Sequence, residues 1–229
     1  MPLHDELIKA IKNYTNGFHA IVPFNAENDK LLKLDFTEEN KELTEELIND
    51  TECFSQYVNA KLKMANAAYG IGGYDEHRTL YKRSAVFDGD EPRRLHLGID
   101  IWGEADTPVY APMPGTVHSF NFNNAFGDYG ATIILQHKIE DFYFHTLFGH
   151  VSLKSIENLK EGETIEKGQW IGSFGRAEEN GHWPPHLHFQ IVIDMQGMKG
   201  DYPGVCALAE REKYLSNCPD PDLILGMVS

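Results

Sequence analysis

Three short stretches carry side chains of the types that hold a metal ion and move protons: HLGID (96–100), FHTLFGHVS (144–152) and PPHLHF (184–189). The apolar run FQIVI (189–193), which begins directly after His188, predicts a strand. His186 and His188 would then share one face, roughly 6–7 Å apart at the backbone. Such a pair is either a metal ligand beside an acid/base partner, or two polar residues on a solvated sheet face.

The spacing of His96 and Asp100 puts both on one face of a helix or of an extended strand. Gly98 between them argues against a helix. Two imidazoles and one carboxylate are the three protein ligands of a catalytic zinc site, with a fourth position left for water. One imidazole of the H-x-H pair would complete this set. The alternative is a surface pair with no metal.

The stretch FHTLFGHVS holds two histidines, His145 and His150, at an odd spacing. In a regular strand they point to opposite faces, so only one can face the site. We expect His150 to do so, because it ends the run beside Gly149, where strands deliver residues into clefts. The alternative is a strand-end histidine whose hydrogen bonds are satisfied by the protein and which has no part in a site.

The elements that must position these residues change in character along the chain. From about residue 95, short apolar runs alternate with Gly, Pro and Asn, which is typical of an antiparallel β domain. In the part of the chain before this β domain, HDELIKAIKNY has the apolar spacing of a helix. Thr37 is a candidate N-cap of a second helix that ends near Gly70, and the GIGGY stretch that follows predicts a loop.

The resulting prediction is an α+β fold dominated by β structure, with an antiparallel sheet or sandwich as its core. We expect a mainly helical extension over residues 1–93 that packs on the core, the core over 94–194, and a tail of loops and a short helix over 195–229.

The whole chain has 229 residues and a formal net charge of −15, which argues against nucleic acid and anionic membranes as partners. The sequence shows no secretory signal and no apolar stretch long enough to span a bilayer. Its three cysteines are too few and too scattered for a disulfide framework. We therefore expect a cytoplasmic protein with reduced thiols.

Taken in order, HLGID, TPVYAPMPGTV, FHTLFGHVS, LKEGETIEKGQWIGSFG and PPHLHF resemble the lysostaphin-type (LytM-like) zinc metallopeptidases over roughly residues 94–194. The resemblance implies a compact antiparallel β core with a groove over one zinc ion. It implies that His96, Asp100 and His188 bind the ion. It also implies that His150 and His186 act on the water and the oxyanion. Most characterised members of that family cut peptide crosslinks of peptidoglycan.

The chain departs from that family in four places. The loop GRAEENGHWPPHLHF replaces the Gly-Ser-Thr-Gly-like loop that usually leads into H-x-H. The chain is also acidic and shows no leader, whereas murein hydrolases of that family are typically exported and often basic. The segment GGYDEHRTLYKRSAVF and the CPDP tail resemble a subgroup also found fused between a kinase-like phosphotransferase and an aminotransferase domain. The leading interpretation is a zinc-dependent metallopeptidase acting on a peptide or small amide. The alternatives are a catalytically silent metal-binding regulatory domain and a non-peptidase hydrolase of a small cytosolic metabolite.

Four further residues are candidates for substrate contact: Arg78, Tyr81, His182 and Trp183. Arg78 and Tyr81 could bind an anionic group, with surface salt bridging as the alternative. His182 and Trp183 could form a groove wall, with a plain loop role as the alternative. Neither H-E-x-x-H nor G-x-S-x-G occurs, which argues against a thermolysin-like enzyme and a serine hydrolase.

Overall fold

The computed structural model describes residues 2–14, 17–89 and 91–228. The helices are α1 (Pro2–Lys12), α2 (Glu45–Asn49), α3 (Thr51–Ala65), α4 (Arg211–Leu215) and α5 (Asp222–Leu225). The strands are β1 (Leu31–Leu34), β2 (Tyr69–Gly72), β3 (Arg93–His96), β4 (Ile99–Trp102), β5 (Pro108–Tyr110), β6 (Gly115–Asn123), β7 (Gly130–Ile139), β8 (Phe142–Val151), β9 (Thr164–Ile165), β10 (Trp170–Ser173), β11 (His186–Val192) and β12 (Val205–Ala207).

An eight-stranded sheet organises the molecule, in the order β1-β2-β4-β11-β8-β7-β6-β9. All of its neighbouring strands are antiparallel except β1 and β2, which are parallel. Two small two-stranded sheets, β10-β5 and β12-β3, lie beside it. The predicted β-dominated α+β class is therefore confirmed, and the four central strands β4, β11, β8 and β7 are the ones rich in apolar residues.

Strand β11 shows how the sequence separates core from chemistry. All of its side chains are buried, and they alternate because successive residues of a strand point to opposite faces. One face joins the main hydrophobic core through Leu187, Phe189 and Ile191. The other face carries His186, His188 and Gln190, which are polar and almost inaccessible. Buried polar groups must be hydrogen-bonded or bind an ion, so this face is where a site is expected.

The N-terminal helices begin and end at residues other than those predicted. The prediction that Thr37 caps a helix is wrong: its hydroxyl accepts from the backbone N–H of Glu39 in a turn. Thr44 caps α2 and Asp50 caps α3, each accepting a backbone N–H of the first helical turn. Short polar side chains followed by acids occur repeatedly in this stretch, so spacing alone did not select the capping residue.

The stretch GIGGY, predicted as a loop after a helix stop at Gly70, contains strand β2 instead. Helix α3 ends earlier, at Asn66 in the left-handed conformation, and Tyr69–Gly72 pairs with β1 and β4. Glycine has low strand propensity, which is why the pattern indicated a loop. Here Gly72 is required by packing, since a Cβ at this position would lie 2.6 Å from a guanidinium nitrogen of Arg78.

Short strand β3 is held from both sides by segments that flank the predicted core. On one edge, β12 pairs with it, with Val205 opposite His96. On the other edge, His77 forms a bridge with Leu95. The extension and the tail thus meet around the strand that ends in His96. None of the helices among the described residues is long and apolar enough to cross a membrane.

Candidate metal centre

Three buried side chains converge where β3, β4 and β11 meet. His96 ends β3, while Asp100 in β4 and His188 in β11 are directly paired across the sheet. Nε2 of His96 lies 2.9 Å from Nδ1 of His188 and 3.2 Å from Oδ1 of Asp100. Nδ1 of His188 lies 3.1 Å from the same carboxylate oxygen. The three atoms form a nearly equilateral triangle.

The protons of both imidazoles are committed elsewhere, which leaves three lone pairs facing one another. Nδ1 of His96 lies 2.8 Å from the carbonyl oxygen of Gly73, which can only accept, so Nδ1 carries the proton. Nε2 of His188 donates in the same way to Oε1 of Gln190, at 2.9 Å. Three acceptors in contact without a shared proton repel one another, so a cation among them would stabilise this arrangement.

Zinc fits this donor set. Two imidazole nitrogens and a carboxylate oxygen are the donors that Zn²⁺ takes in catalytic sites. Bond lengths of about 2.0–2.1 Å at tetrahedral angles place neighbouring donors about 3.3 Å apart. The observed separations, 2.9–3.2 Å, match one face of such a tetrahedron. His96, Asp100 and His188 also form the group of His, Cys, Asp and Glu side chains that could hold a metal in the described part of the chain.

Arg78 fixes the other half of the carboxylate. Its Nη1 donates to Oδ2 of Asp100 at 2.5 Å, and its Nε donates to Glu76 at 2.8 Å. Burial alone would raise the pKa of Asp100, but the neighbouring His96 and Arg78 outweigh it and hold that pKa well below its ordinary value. Oδ1 therefore stays charged and faces the two imidazoles. Burial, followed by the charge of Arg78, lowers the pKa of His96 to about 3.

His96 and Asp100 do not lie on one continuous strand. The chain leaves β3 at His96, turns through Leu97 and Gly98, and enters β4 at Ile99. A Cβ on Gly98 would lie 2.5 Å from Cε1 of His188, so only glycine lets that ring approach. His96 and Asp100 therefore meet because a tight link joins β3 and β4, which belong to two different sheets, and not because they share one face of a single strand.

His150 and His186 lie together beside the three acceptors. Their ring centroids are 4.1 Å apart, and His186 also stacks on Trp102 at 3.9 Å. His150, the second-last residue of β8, is in the left-handed conformation, with φ 62°. Its Nδ1 donates to the carbonyl of Asn180, and Nδ1 of His186 donates to the carbonyl of Pro184, each at 2.8 Å. Nε2 is thus the available nitrogen on both rings.

Both of these imidazoles are neutral near pH 7. Burial is the main cause: it lowers the pKa of His186 to about 4. Burial and then the neighbouring His186 hold the pKa of His150 well below its ordinary value. His145, by contrast, points away and contacts Gln136 and His118. The expectation that only one histidine of FHTLFGHVS faces the site matches this placement.

A cavity of about 150 Å³ opens from this centre. Arg78, Tyr81 and Trp183, three of the four predicted substrate contacts, line it. The fourth, His182, does not: its ring stacks on Phe126, and its carbonyl accepts from Thr51. Arg78 faces Asp100 as well as the cavity, so its guanidinium is engaged by the protein itself.

Sequence reasoning missed several residues that orient the centre. Gln190 follows His188 by two residues on the same strand, so the alternation of HLHFQ contained a signal for it. Glu76 and Asn180 lie in loops, and the sequence around Trp102, at the end of β4, indicates only an ordinary core residue. No pattern in the sequence pointed to those three roles.

Part of the chain is similar in sequence to known proteins. Residues 94–200, just under half of the chain, match the model of Peptidase family M23. An uncharacterized metalloprotease of Haemophilus influenzae is 30% identical over 139 residues, covering 58% of this chain and 27% of that protein. The L-Ala–D-Glu endopeptidase of Bacillus subtilis is 32% identical over 161 residues, covering 64% of this chain and 47% of that protein. The chain thus spans less than half the length of either curated relative.

Solved structures give weaker likenesses. The catalytic domain of lysostaphin from Staphylococcus simulans has a TM-score of 0.38 at 21% identity, covering 69% of this chain and 97% of that one. A zinc-containing peptidase from Vibrio cholerae has a TM-score of 0.32 at 24% identity, covering 43% of this chain and 27% of that one. The likeness to Peptidase family M23 comes from the sequence match over residues 94–200.

Proposed function

We propose that the chain is a zinc-dependent hydrolase of a peptide or small amide bond. The observation that carries the proposal is the triangle of unprotonated donors on His96, Asp100 and His188, with separations of 2.9–3.2 Å. The M23 domain match and the metalloprotease and endopeptidase relatives support the same reading.

In this proposal His96, Asp100 and His188 hold the ion. When bound, zinc supplies a Lewis acid that acidifies water and polarises a carbonyl oxygen. Arg78, which is itself held by Glu76, occupies the second carboxylate oxygen of Asp100, so that Asp100 offers a single oxygen to the centre. Such outer contacts set ligand orientation and affinity.

His150 and His186 are proposed to move protons and to stabilise the oxyanion. A neutral imidazole can accept a proton from water at Nε2, and once charged it can donate to an oxygen on which charge develops. The Nδ1 bonds to Asn180 and Pro184 fix each ring so that only Nε2 is available. The burial of both rings strengthens these charge interactions because it keeps bulk solvent away.

The substrate class is proposed to be a peptide or a small amide. Because the relative from Bacillus subtilis is named for an L-Ala–D-Glu bond, short peptides containing that bond belong in the first substrate panel. Cytoplasmic location stays a prediction from the sequence.

The proposal is tested by separating metal binding from turnover. In His186→Ala and His150→Ala we expect zinc content to match wild type and hydrolysis of any active peptide to fall at least 10²-fold, since proton transfer contributes about 10²–10⁴-fold. Zinc is measured by elemental mass spectrometry and hydrolysis by liquid chromatography.

His77→Ala is the matched control, since His77 is exposed. Full turnover in His186→Ala would remove that residue from the proposal. Zinc bound with no turnover on any peptide or amide would instead favour a silent metal-binding domain.

A further inference from the structure

A buried arginine outside the residues that match the family lies against the segment that leads into His186. Arg83 ends a short 3-10 helix, Leu80–Arg83, and is 7% exposed. Within the part of the chain that the structure describes, its Nε and Nη1 have no hydrogen-bond partner, and no carboxylate acts on its charge. Burying a charge without a carboxylate partner is costly, so other groups must stabilise this guanidinium.

Aromatic rings stabilise the charge of Arg83 in place of a carboxylate. The guanidinium carbon lies 4.5 Å from the ring centroid of Trp183 and 4.9 Å from that of Phe126. Both distances are in the range of a cation–π interaction, which is stronger where the cation is desolvated. Burial lowers the pKa of Arg83 to about 10, so the group keeps its charge near pH 7. Arg83 therefore attracts the indole of Trp183, which lies shortly before His186 in the chain.

The same guanidinium also holds the backbone beside that indole. Nη2 of Arg83 donates to the carbonyl oxygen of His182 at 3.2 Å, and the hydroxyl of Thr51 donates to the same oxygen at 2.9 Å. Nη2 of Arg83 also donates to Oγ1 of Thr51 at 3.1 Å, so the three groups form a closed triangle. Thr51 begins α3. Two separate parts of the N-terminal extension thus hold one peptide group of the loop that precedes β11.

The held segment, residues 182–184, ends on a carbonyl that orients a histidine of the centre. The carbonyl oxygen of Pro184 accepts from Nδ1 of His186 at 2.8 Å. A carbonyl can only accept, so this bond keeps the proton of the imidazole on Nδ1 and leaves Nε2 with its lone pair. A shift of residues 182–184 would weaken the bond and allow the proton to move to Nε2.

His150 provides an internal comparison, because its partner carbonyl is held in a different way. Nδ1 of His150 donates to the carbonyl of Asn180. The two residues that flank Asn180 each accept a backbone hydrogen bond from residues 127–131, around the start of β7, at 2.8 and 3.2 Å. This half of the loop is therefore attached to the core by its own backbone, whereas residues 182–184 are held by side chains of the extension.

We propose that Arg83 and Thr51 are positioning residues for His186: by fixing residues 182–184 they keep the Pro184 carbonyl on Nδ1 of that imidazole and leave its Nε2 free to exchange protons. The inference rests on the proposed hydrolase function, in which His186 moves protons or stabilises the oxyanion. It gives a role in that function to the extension before residue 94, which lies outside the residues that match the family.

Nuclear magnetic resonance of isotope-labelled imidazoles tests the inference without any turnover, because a ring nitrogen resonates differently with and without its proton. Signals of the purified protein are assigned by their loss in His186→Ala and His150→Ala. In wild type both rings should carry the proton on Nδ1. Arg83→Lys keeps the charge but loses the planar fork. In this variant we expect a mixture of both tautomers for His186 and the wild-type pattern for His150.

Thr51→Val is the second variant, and it decides the question if circular dichroism shows that Arg83→Lys is not folded. It removes one of the two donors to the His182 carbonyl, so His186 should change in the same direction but less. Ser55→Ala is the matched control, since it removes a hydroxyl of α3 that bonds within the helix. A wild-type His186 pattern in either folded variant, or an equal change in His150, would overturn the inference.

Kinetics separate this inference from the proposed function. On any peptide that the wild type hydrolyses, Arg83→Lys should keep the wild-type zinc content and lower kcat about ten- to a hundredfold, as for a misplaced reacting group. Arg176→Lys, at an exposed ion pair with Asp106, is the control and should keep the wild-type kcat. Wild-type kcat in Arg83→Lys would overturn the inference. Mixed His186 tautomers in Arg83→Lys, with no hydrolysis even by wild type, would support the positioning role and remove only the hydrolase function.

Discussion

At the residue scale, the two oxygens of Asp100 have different partners. Oδ1 faces His96 and His188, and Oδ2 accepts from Arg78. Because Arg78 also donates to Glu76, to the hydroxyl of Tyr81 and to the carbonyl of Gly73, its planar guanidinium holds four groups at once. Arg78 is a positioning residue for the proposed ligand, although its sequence context predicted a substrate contact.

Arg78→Lys is expected to weaken zinc binding about tenfold, the low end for loss of a group that orients a metal ligand. Lysine keeps the positive charge but cannot make the forked contacts, so the change isolates geometry from charge. Affinity is measured by competition with a chromogenic chelator. Arg176→Lys, at an exposed ion pair with Asp106, is the control. Unchanged affinity in Arg78→Lys would show that Asp100 is oriented without it.

The sequence predicted the three converging side chains of the centre better than the groups around them. His96, Asp100 and His188 stand in short motifs whose residue types restrict the chemistry, and the structure brings their donor atoms together. Arg78 and Asn180 reach the centre from loops, where contacts between distant parts of the chain decide the partner. Periodicity contains no information about such contacts.

At the element scale, the centre depends on the junction between β3 and β4. Gly98→Ala places a Cβ 2.5 Å from the His188 ring, so the ring or the backbone must move. We expect zinc affinity to fall at least tenfold and the free energy of unfolding to fall by about 1–3 kcal/mol, as for overpacking. Gly89→Ala is the control, because a Cβ there meets nothing within 4 Å. Wild-type affinity in Gly98→Ala would mean that the junction adapts.

At the element scale, prediction from the sequence succeeded for strand β11 and failed for strand β2. Alternation in β11 correctly placed His186 and His188 on one face. Strand β2 was missed because its two glycines, which have low strand propensity, fit close packing: Gly70 against Leu34 and Gly72 against Arg78. A pattern read along the chain cannot show which neighbour leaves no room for a side chain.

At the scale of the whole molecule, buried neutral histidines make stability depend on pH. His137 on β7 is 1% exposed, donates from Nδ1 to Pro114 and accepts at Nε2 from Thr146. Burial lowers its pKa to about 4. Between that value and about 6.5, the unfolded chain binds the proton more strongly, so stability is lost as pH falls through this window.

The contribution of His137 is measured by urea unfolding of the metal-free protein at pH 7 and pH 4.5. In His137→Gln we expect the loss of unfolding free energy between these pH values to be smaller than in wild type by roughly 2 to 3 kcal/mol. The exposed His77→Gln control should keep the wild-type loss. An unchanged loss in His137→Gln would show that His137 is not the group responsible.

The measurement that tests the central claim most directly is the zinc content of the purified protein beside Asp100→Ala, by elemental mass spectrometry. Asp141→Ala is the control for loss of one carboxylate, and circular dichroism checks that each variant is folded. The account predicts about one zinc per chain in wild type and control and none in folded Asp100→Ala. Wild type that takes up no zinc after reconstitution, or full zinc retained in Asp100→Ala, would contradict it.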